Sequence, residues 1–204
     1  MTDTEPNPDE QMRHALFVYA KRELRKRMQS LRNVLPNVPR AERSARACQR
    51  ICELPEFAAA RTVAGYVAMR KELDVAEALA AAHRAGKRAL LPRMTDAGLT
   101  FHVYTPGEAL VENDWGVLEP SADSEQVALP DIDLLLVPAL AIDLRGMRLG
   151  YGKSFYDRLL TNARGLSVGV VYDFQLLAEV PGEAHDVPVK HIITDSRSLA
   201  AEAS

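Results

Sequence analysis

Between residues 12 and 35 the apolar positions Leu16, Tyr19, Ala20, Leu24, Met28, Leu31 and Leu35 recur every three or four residues, which predicts an amphipathic helix. Its polar face carries Lys21, Arg22, Arg25, Lys26 and Arg27. A second helix is expected from Pro39, since proline suits a first helical turn, to about Glu53, with Pro55 as punctuation. Beyond Pro55 the period changes. Residues 62–69 (TVAGYVAM), 88–92 (RALLP) and 166–172 (LSVGVVY) are short apolar runs of buried-strand type, and 99–104 alternates like a half-exposed strand. Residues 132–142 (IDLLLVPALAI) form the most apolar run and are expected to be the central strand, with 191–194 as the last strand. Between these runs lie an alanine-rich helix at 74–85 closed by Gly86, a helix opening at 152–160, and a helical turn at 175–179.

Strands that alternate with helices and read as continuous apolar runs imply an α/β fold. The expectation is a single three-layer α/β/α domain over residues 12–204, with a mainly parallel central sheet, preceded by a disordered tail at 1–11. In such sheets ligands bind at the carboxyl ends of the strands.

Composition narrows the class. The chain has 204 residues, 47% hydrophobic and 26% charged, the balance of an ordinary globular protein rather than a disordered one. Its formal net charge of -3 argues against nucleic acid as the main partner. No apolar run approaches about 18 residues, so no membrane span is expected. The acidic amino terminus lacks the pattern of a signal peptide, which points to the cytoplasm. Cys48 and Cys52 would share a helix face, but no second pair or nearby histidine completes a metal site, so they read as small apolar residues. His14, His83, His102, His185 and His191 are scattered.

The candidate chemistry follows the central strand. Gly146, Gly150 and Gly152, three of the chain's 11 glycines, fall within seven residues, interleaved with Arg145, Arg148 and Lys153, directly before a helix. Backbone N–H groups freed by glycine, a helix amino end and basic side chains together favour a bound anion, against the plainer reading of a tight solvated loop. The string GKS at 152–154 is not a Walker A loop, because that pattern needs glycine where Met147 stands.

The segment RGMRLGYGKSFYDRLL (145–160) resembles the signature of the 5-formyltetrahydrofolate cyclo-ligase family, through Asp143, Gly146, Arg148, Leu149, Gly150, Gly152, Tyr156 and Asp157. KRELR (21–25), YVAMRKELD (66–74), LLPR (90–93), NDWGVLEP (113–120) and HDVPVKHIITD (185–195) match the same family in order. The family usually has glycine at Ser154 and tyrosine at Phe155, and acid is frequent at Lys190.

The resemblance implies ATP-dependent conversion of 5-formyltetrahydrofolate to 5,10-methenyltetrahydrofolate, with ADP and phosphate released and Mg2+ as cofactor. It implies catalytic roles for Arg148, Lys153 and Tyr156. ATP would be held by Lys21, Arg25, Arg148, Leu149, Gly150, Tyr151, Gly152, Lys153, Ser154, Phe155 and Tyr156. The reduced folate would meet Val67, Glu72, Trp115, Tyr151 and Phe155, and Asp157 and Asp186 would bind the metal.

Read without the resemblance, Lys21 to Arg27 is a solvated basic face, and Glu72 is an exposed loop charge. Asp157 is a helix acid paired with Arg158 or Arg164, Asp186 is a turn residue, and Trp115 is as much core as ring platform. Arg148→Ala and Lys153→Ala are each expected to slow turnover while leaving the melting temperature nearly unchanged. The partners expected are ATP and reduced folate, with no nucleic acid and no membrane, in a monomer or weak homodimer. The alternatives are a paralogous ATP-dependent enzyme acting on another formyl or amide group, or a nucleic-acid module built on residues 21–27.

Overall fold

The computed structural model describes residues 7–96, 98–152, 155–182 and 186–202. Helix α1 (Pro8–Asn33) begins with proline in its first turn, and Asn7 accepts from the Asp9 N–H as its cap. Residues 8–11, expected in the tail, are therefore helical, while residues 1–6 lie outside the described ones. Helix α2 (Asn37–Cys52) follows, then the short α3 (Pro55–Ala59), where Pro55 starts a helix rather than merely ending one. Strand β1 (Thr62–Ala64), α4 (Ala76–Arg84), β2 (Arg88–Thr95) and β3 (Gly98–Val103) come next. A two-stranded ribbon, β4 (Val111–Glu112) and β5 (Leu118–Glu119), follows and leads to β6 (Gln126–Val127). Strands β7 (Leu134–Pro138), β8 (Ala141–Asp143) and β9 (Arg148–Leu149) lead to α5 (Phe155–Asn162). The chain ends with β10 (Leu166–Val170), β11 (Leu176–Leu177), β12 (His191–Ile193) and β13 (Ser198–Ala200).

The main sheet has the order β13-β12-β10-β7-β1-β2-β3-β6, and its five central strands are parallel. Side chains alternate between its faces with period two. Val63, Leu134, Leu136, Val168 and Val170 pack under α2 and α4, while Ala64, Leu135, Val137 and Ile192 pack with Leu159 and Leu160 of α5. That is the expected three-layer α/β arrangement.

The most apolar run is two strands, not one. It splits at Pro138, which has no N–H for a ladder and is the last β7 residue paired with β10. Residues 141–143 enter a second sheet, β11-β8-β9. Leu24 and Met28 of α1 pack on that sheet with Leu140, Leu149 and Val180. The helical turn expected at 175–179 lies two residues earlier, as a single 3-10 turn at Asp173–Gln175. Gln175 is buried as a clamp, accepting from the Tyr172 N–H at 3.1 Å and donating to Leu140 O at 2.7 Å, and β11 begins straight after it.

From β1 the chain crosses to β2 on one side; from β7 it crosses to β10 on the other. The adjacent parallel strands β1 and β7 therefore flank a topological switch point, where the loops leaving their carboxyl ends form a crevice.

Candidate functional site

Two loops meet at that switch point, one after β1 (residues 65–75) and one after β7 (139–152). In the first, Arg70 and Lys71 adopt left-handed backbone at φ +46° and +60°, a conformation costly for side chains with a Cβ. This turn brings Glu72 inward, where it is 5% exposed. Its Oε2 accepts the Met69 N–H at 2.9 Å and its Oε1 accepts the Tyr151 hydroxyl at 2.9 Å. Burial pushes its carboxyl above the ordinary value; the Met69 N–H, Arg32, Tyr151 and Arg70 pull the other way. The exposed-charge reading of Glu72 is thus corrected. A cleft of about 660 Å³ opens beside it, lined by Arg40, Ser44, Cys48, Ala68, Glu72 and Asp74. That volume is in the range of small-molecule sites. Val67 is half-buried against the core nearby.

The second loop is shaped by Asp143. Its buried carboxylate accepts from the N–H groups of Arg145, Met147 and Val180 and from the Arg145 guanidinium. Gly146 sits at φ +80°, and a Cβ there would meet Val189 O at 2.2 Å, so the turn closes only on glycine. Leu149 is buried in the small sheet and can offer a ligand only backbone. Gly150 and Gly152 then pass against α1: Arg25 Nε donates to Gly150 O at 2.9 Å, and a Cβ on Gly152 would lie 3.6 Å from the Arg25 guanidinium carbon. Lys153 and Ser154 lie outside the described residues.

Cations and acids gather around this loop. Lys21 Nζ donates to Asp186 at 3.1 Å. Arg148 donates to Asp157 at 2.6 Å and to Val187 O. Burial pulls the Arg148 guanidinium below its ordinary pKa, and the charges of Asp157 and Asp186 oppose that. Asp157 therefore pairs with Arg148, not with Arg158 or Arg164 as expected from its helix neighbours. Asp186 is an ion-paired group and not a plain turn residue.

Tyr156, at the start of α5, has its phenol pushed well above the ordinary value by burial and by the Glu72 charge, with Arg148 opposing. Its ring packs against the core beside Leu159 and Leu160. Phe155 is half-buried with the Arg158 guanidinium over its ring at 5.4 Å. Trp115 stands at the tip of the β4–β5 ribbon, 59% exposed, so it is not core, and among the described residues no contact joins it to Glu72 or Tyr151.

One central residue escaped the sequence reading. Arg32 is 1% exposed and lies on the α1 face of Lys21, Arg25 and Met28, at spacings of four, three and four. That spacing is the signal in the sequence, since it continues the α1 basic face one step beyond Arg27. Arg32 donates from Nε to Arg70 O at 3.0 Å and from Nη2 to the Tyr151 hydroxyl. Its Nη1 lies 3.7 Å from Glu72 Oε1 and makes no hydrogen bond. The Arg32 and Arg70 guanidiniums each lie 5.7 Å from the Tyr151 ring centre.

For a metal, Asp157 and Asp186 are each already paired with a cation, and among the described residues no group of three His, Cys, Asp or Glu comes together. The donor set suits a cation that arrives on phosphate oxygens and takes one or two carboxylates, as Mg2+ does, not one caged by protein alone.

Comparison with known proteins gives a consistent picture. The profile of the 5-formyltetrahydrofolate cyclo-ligase family matches residues 18–195. A 5-formyltetrahydrofolate cyclo-ligase of Escherichia coli (strain K12) is 34% identical over 173 residues, covering 81% of this chain and 95% of that protein. One from Mycolicibacterium smegmatis is 38% identical over 150 residues, covering 69% of this chain and 77% of that protein. The solved structure of Aquifex aeolicus 5,10-methenyltetrahydrofolate synthetase superimposes with a TM-score of 0.81 at 32% identity, covering 90% of this chain and 94% of the other.

Proposed function

We infer the reaction from one premise: the chain belongs to the 5-formyltetrahydrofolate cyclo-ligase family. The protein is an ATP-dependent ligase that converts 5-formyltetrahydrofolate to 5,10-methenyltetrahydrofolate, releasing ADP and phosphate. One observation carries this reading onto the residues. Tyr151 of the glycine segment donates to Glu72 and Arg25 donates to the adjoining Gly150 O, so an acid suited to a pterin and a cation suited to phosphate are both anchored on the same short segment at the switch point.

A formyl oxygen is a poor leaving group. Transfer of the γ-phosphoryl group of ATP to that oxygen makes it a good one. N10 then attacks the formyl carbon, and phosphate departs with the oxygen as the bridge closes. The protein's work is positioning and charge neutralisation. Lys21, Arg25 and Arg148, joined by Lys153 from the glycine segment, hold the phosphates, with backbone from Leu149 to Tyr156 lining them. Tyr156 donates its hydroxyl toward the transferring group. Glu72 accepts from pterin N–H groups at the cleft wall. Val67, Trp115, Tyr151 and Phe155 supply apolar and aromatic surface to the folate. Asp186 and Asp157, now paired with Lys21 and Arg148, are the carboxylates that would hold the nucleotide's Mg2+ once phosphate drew those two cations to itself. When bound, that ion neutralises phosphate charge.

Among the described residues no helix is long and apolar enough to cross a membrane. The reading takes the protein as cytoplasmic, a monomer or weak homodimer, with no nucleic-acid partner, since Lys21 and Arg25 are turned into the site. The test is incubation with ATP, Mg2+ and 5-formyltetrahydrofolate while following the methenyl chromophore. It should grow only when all three are present, and its absence at high enzyme concentration overturns the reading.

A further inference from the structure

We propose that Arg32 is a positioning residue for folate recognition, its guanidinium fixing Glu72, Tyr151 and the Arg70 backbone as one unit at the wall of the cleft. The inference rests on the reading of Glu72 as the folate-binding acid.

Three contacts converge on this one side chain: Arg70 O, the Tyr151 hydroxyl and, at 3.7 Å, the Glu72 carboxylate. They join three parts of the site, the loop of Arg70 and Glu72, the glycine segment and α1. Arg70 holds the left-handed turn that delivers Glu72, Tyr151 belongs to the glycine segment, and Arg32 itself sits on the helix that carries Lys21 and Arg25. The same turn is tied to the end of α1 a second time, by Lys71 Nζ donating to Asn33 O at 2.6 Å. The Tyr172 hydroxyl donates to Glu72 O at 3.2 Å from the other side. The turn is therefore held in a conformation that its own residues disfavour.

A purely structural residue is a poor fit here. Burying an arginine with one N–H unbonded is costly, and an apolar side chain of similar size serves packing better. What arginine adds is a charge beside a buried carboxylate and a planar fork that sets its direction. The groups facing Glu72 are Arg32 from α1, Arg70 from its own loop, Tyr151 from the glycine segment, Tyr156 from α5 and Tyr66 following β1. Arg40, Asp74 and Glu77 line the cleft with it. Of these, only Arg32 and Arg70 carry positive charge within the group that holds Glu72 down. Removing Arg32 lets burial raise the Glu72 pKa further, so folate binding fails at a higher pH as the solution is acidified.

The experiment measures steady-state cyclisation by the full chain across pH, with melting temperatures, for the wild type, Arg32→Met and Arg32→Lys. Arg32→Met should raise the folate KM about tenfold while changing the ATP KM less than about twofold. It should also move the acid limb of kcat/KM for folate upward by about one pH unit. Arg32→Lys, which keeps the charge but loses the fork, should leave that limb in place and raise the folate KM severalfold. The proposal is overturned if Arg32→Met melts lower but shows an unmoved acid limb, or if its defect lies in ATP. Should Arg32→Met fail to fold, an unchanged folate KM in Arg32→Lys overturns it. A wild type that forms no methenyl product instead overturns the assignment of the reaction, a separate outcome.

Discussion

Glu72 is buried and accepts hydrogen bonds on both oxygens, so its charge depends on a few named neighbours. Glu72→Gln keeps the shape and removes the charge. It should raise the folate KM about tenfold with little change in the ATP KM, measured by varying each substrate in turn. An ATP-specific defect would place Glu72 on the wrong ligand. Arg148 carries two kinds of energy. As a phosphate contact, its loss should slow kcat tenfold or more, and Lys153→Ala should do the same. Arg148 is also the partner of Asp157 and of Val187 O, so Arg148→Ala should cost about 3 kcal/mol of stability in urea unfolding. A lowered melting temperature is therefore the expectation for this residue in place of a nearly unchanged one, because an ion pair formed across nine positions and a bond to a distant carbonyl leave no mark on a linear pattern. Arg32 is hidden for a related reason: a basic residue five positions past a basic run looks solvated until its helix face is known to be covered.

At the scale of elements, the legible features were those set by local periodicity. Helix α1, the α4 segment and the runs that became β2, β3, β10 and β12 follow from spacing alone. The misreadings came where a tertiary partner decided the outcome. The 132–142 run is apolar apart from Asp133 because both its halves are buried, yet Pro138 ends one ladder and Asp143 begins a turn in another sheet. The Gln175 turn depends on carbonyls some 35 residues away. Residues 62–69 form only three residues of strand because the chain must turn back to deliver Glu72. The glycine segment shows how one element serves another. Gly146→Ala forces a Cβ against Val189 O at a positive φ, and should destabilise by at least about 2 kcal/mol in urea unfolding. Its effect on kcat should exceed that of a surface change of equal stability, since the same turn aims Arg148. An alanine variant as stable as the parent would mean that the 143–147 turn relaxes freely.

Over the whole molecule, the switch point between β1 and β7 sets where two substrates can meet, and α1 ties the two halves of the site together. Lys21 and Arg25 reach the phosphate side, and Arg32, two turns on, reaches the folate side. The formal net charge of -3 hides this, because the cations that matter are gathered on one face of α1 and in the glycine segment beside it while acids elsewhere outweigh them. The α/β class, the position of the glycine segment after a buried strand and the order of the family's motifs were all readable from the chain. The meeting of distant loops across the sheet was not, since it depends on strand order. The central claim is that ATP activates the formyl oxygen so that phosphate carries it away. Its most direct test supplies 5-formyltetrahydrofolate labelled with oxygen-18 in the formyl group and follows the label through one round of ATP-dependent cyclisation. The account predicts that the label appears in inorganic phosphate; label released as water, or methenyl product formed without ATP, would contradict it.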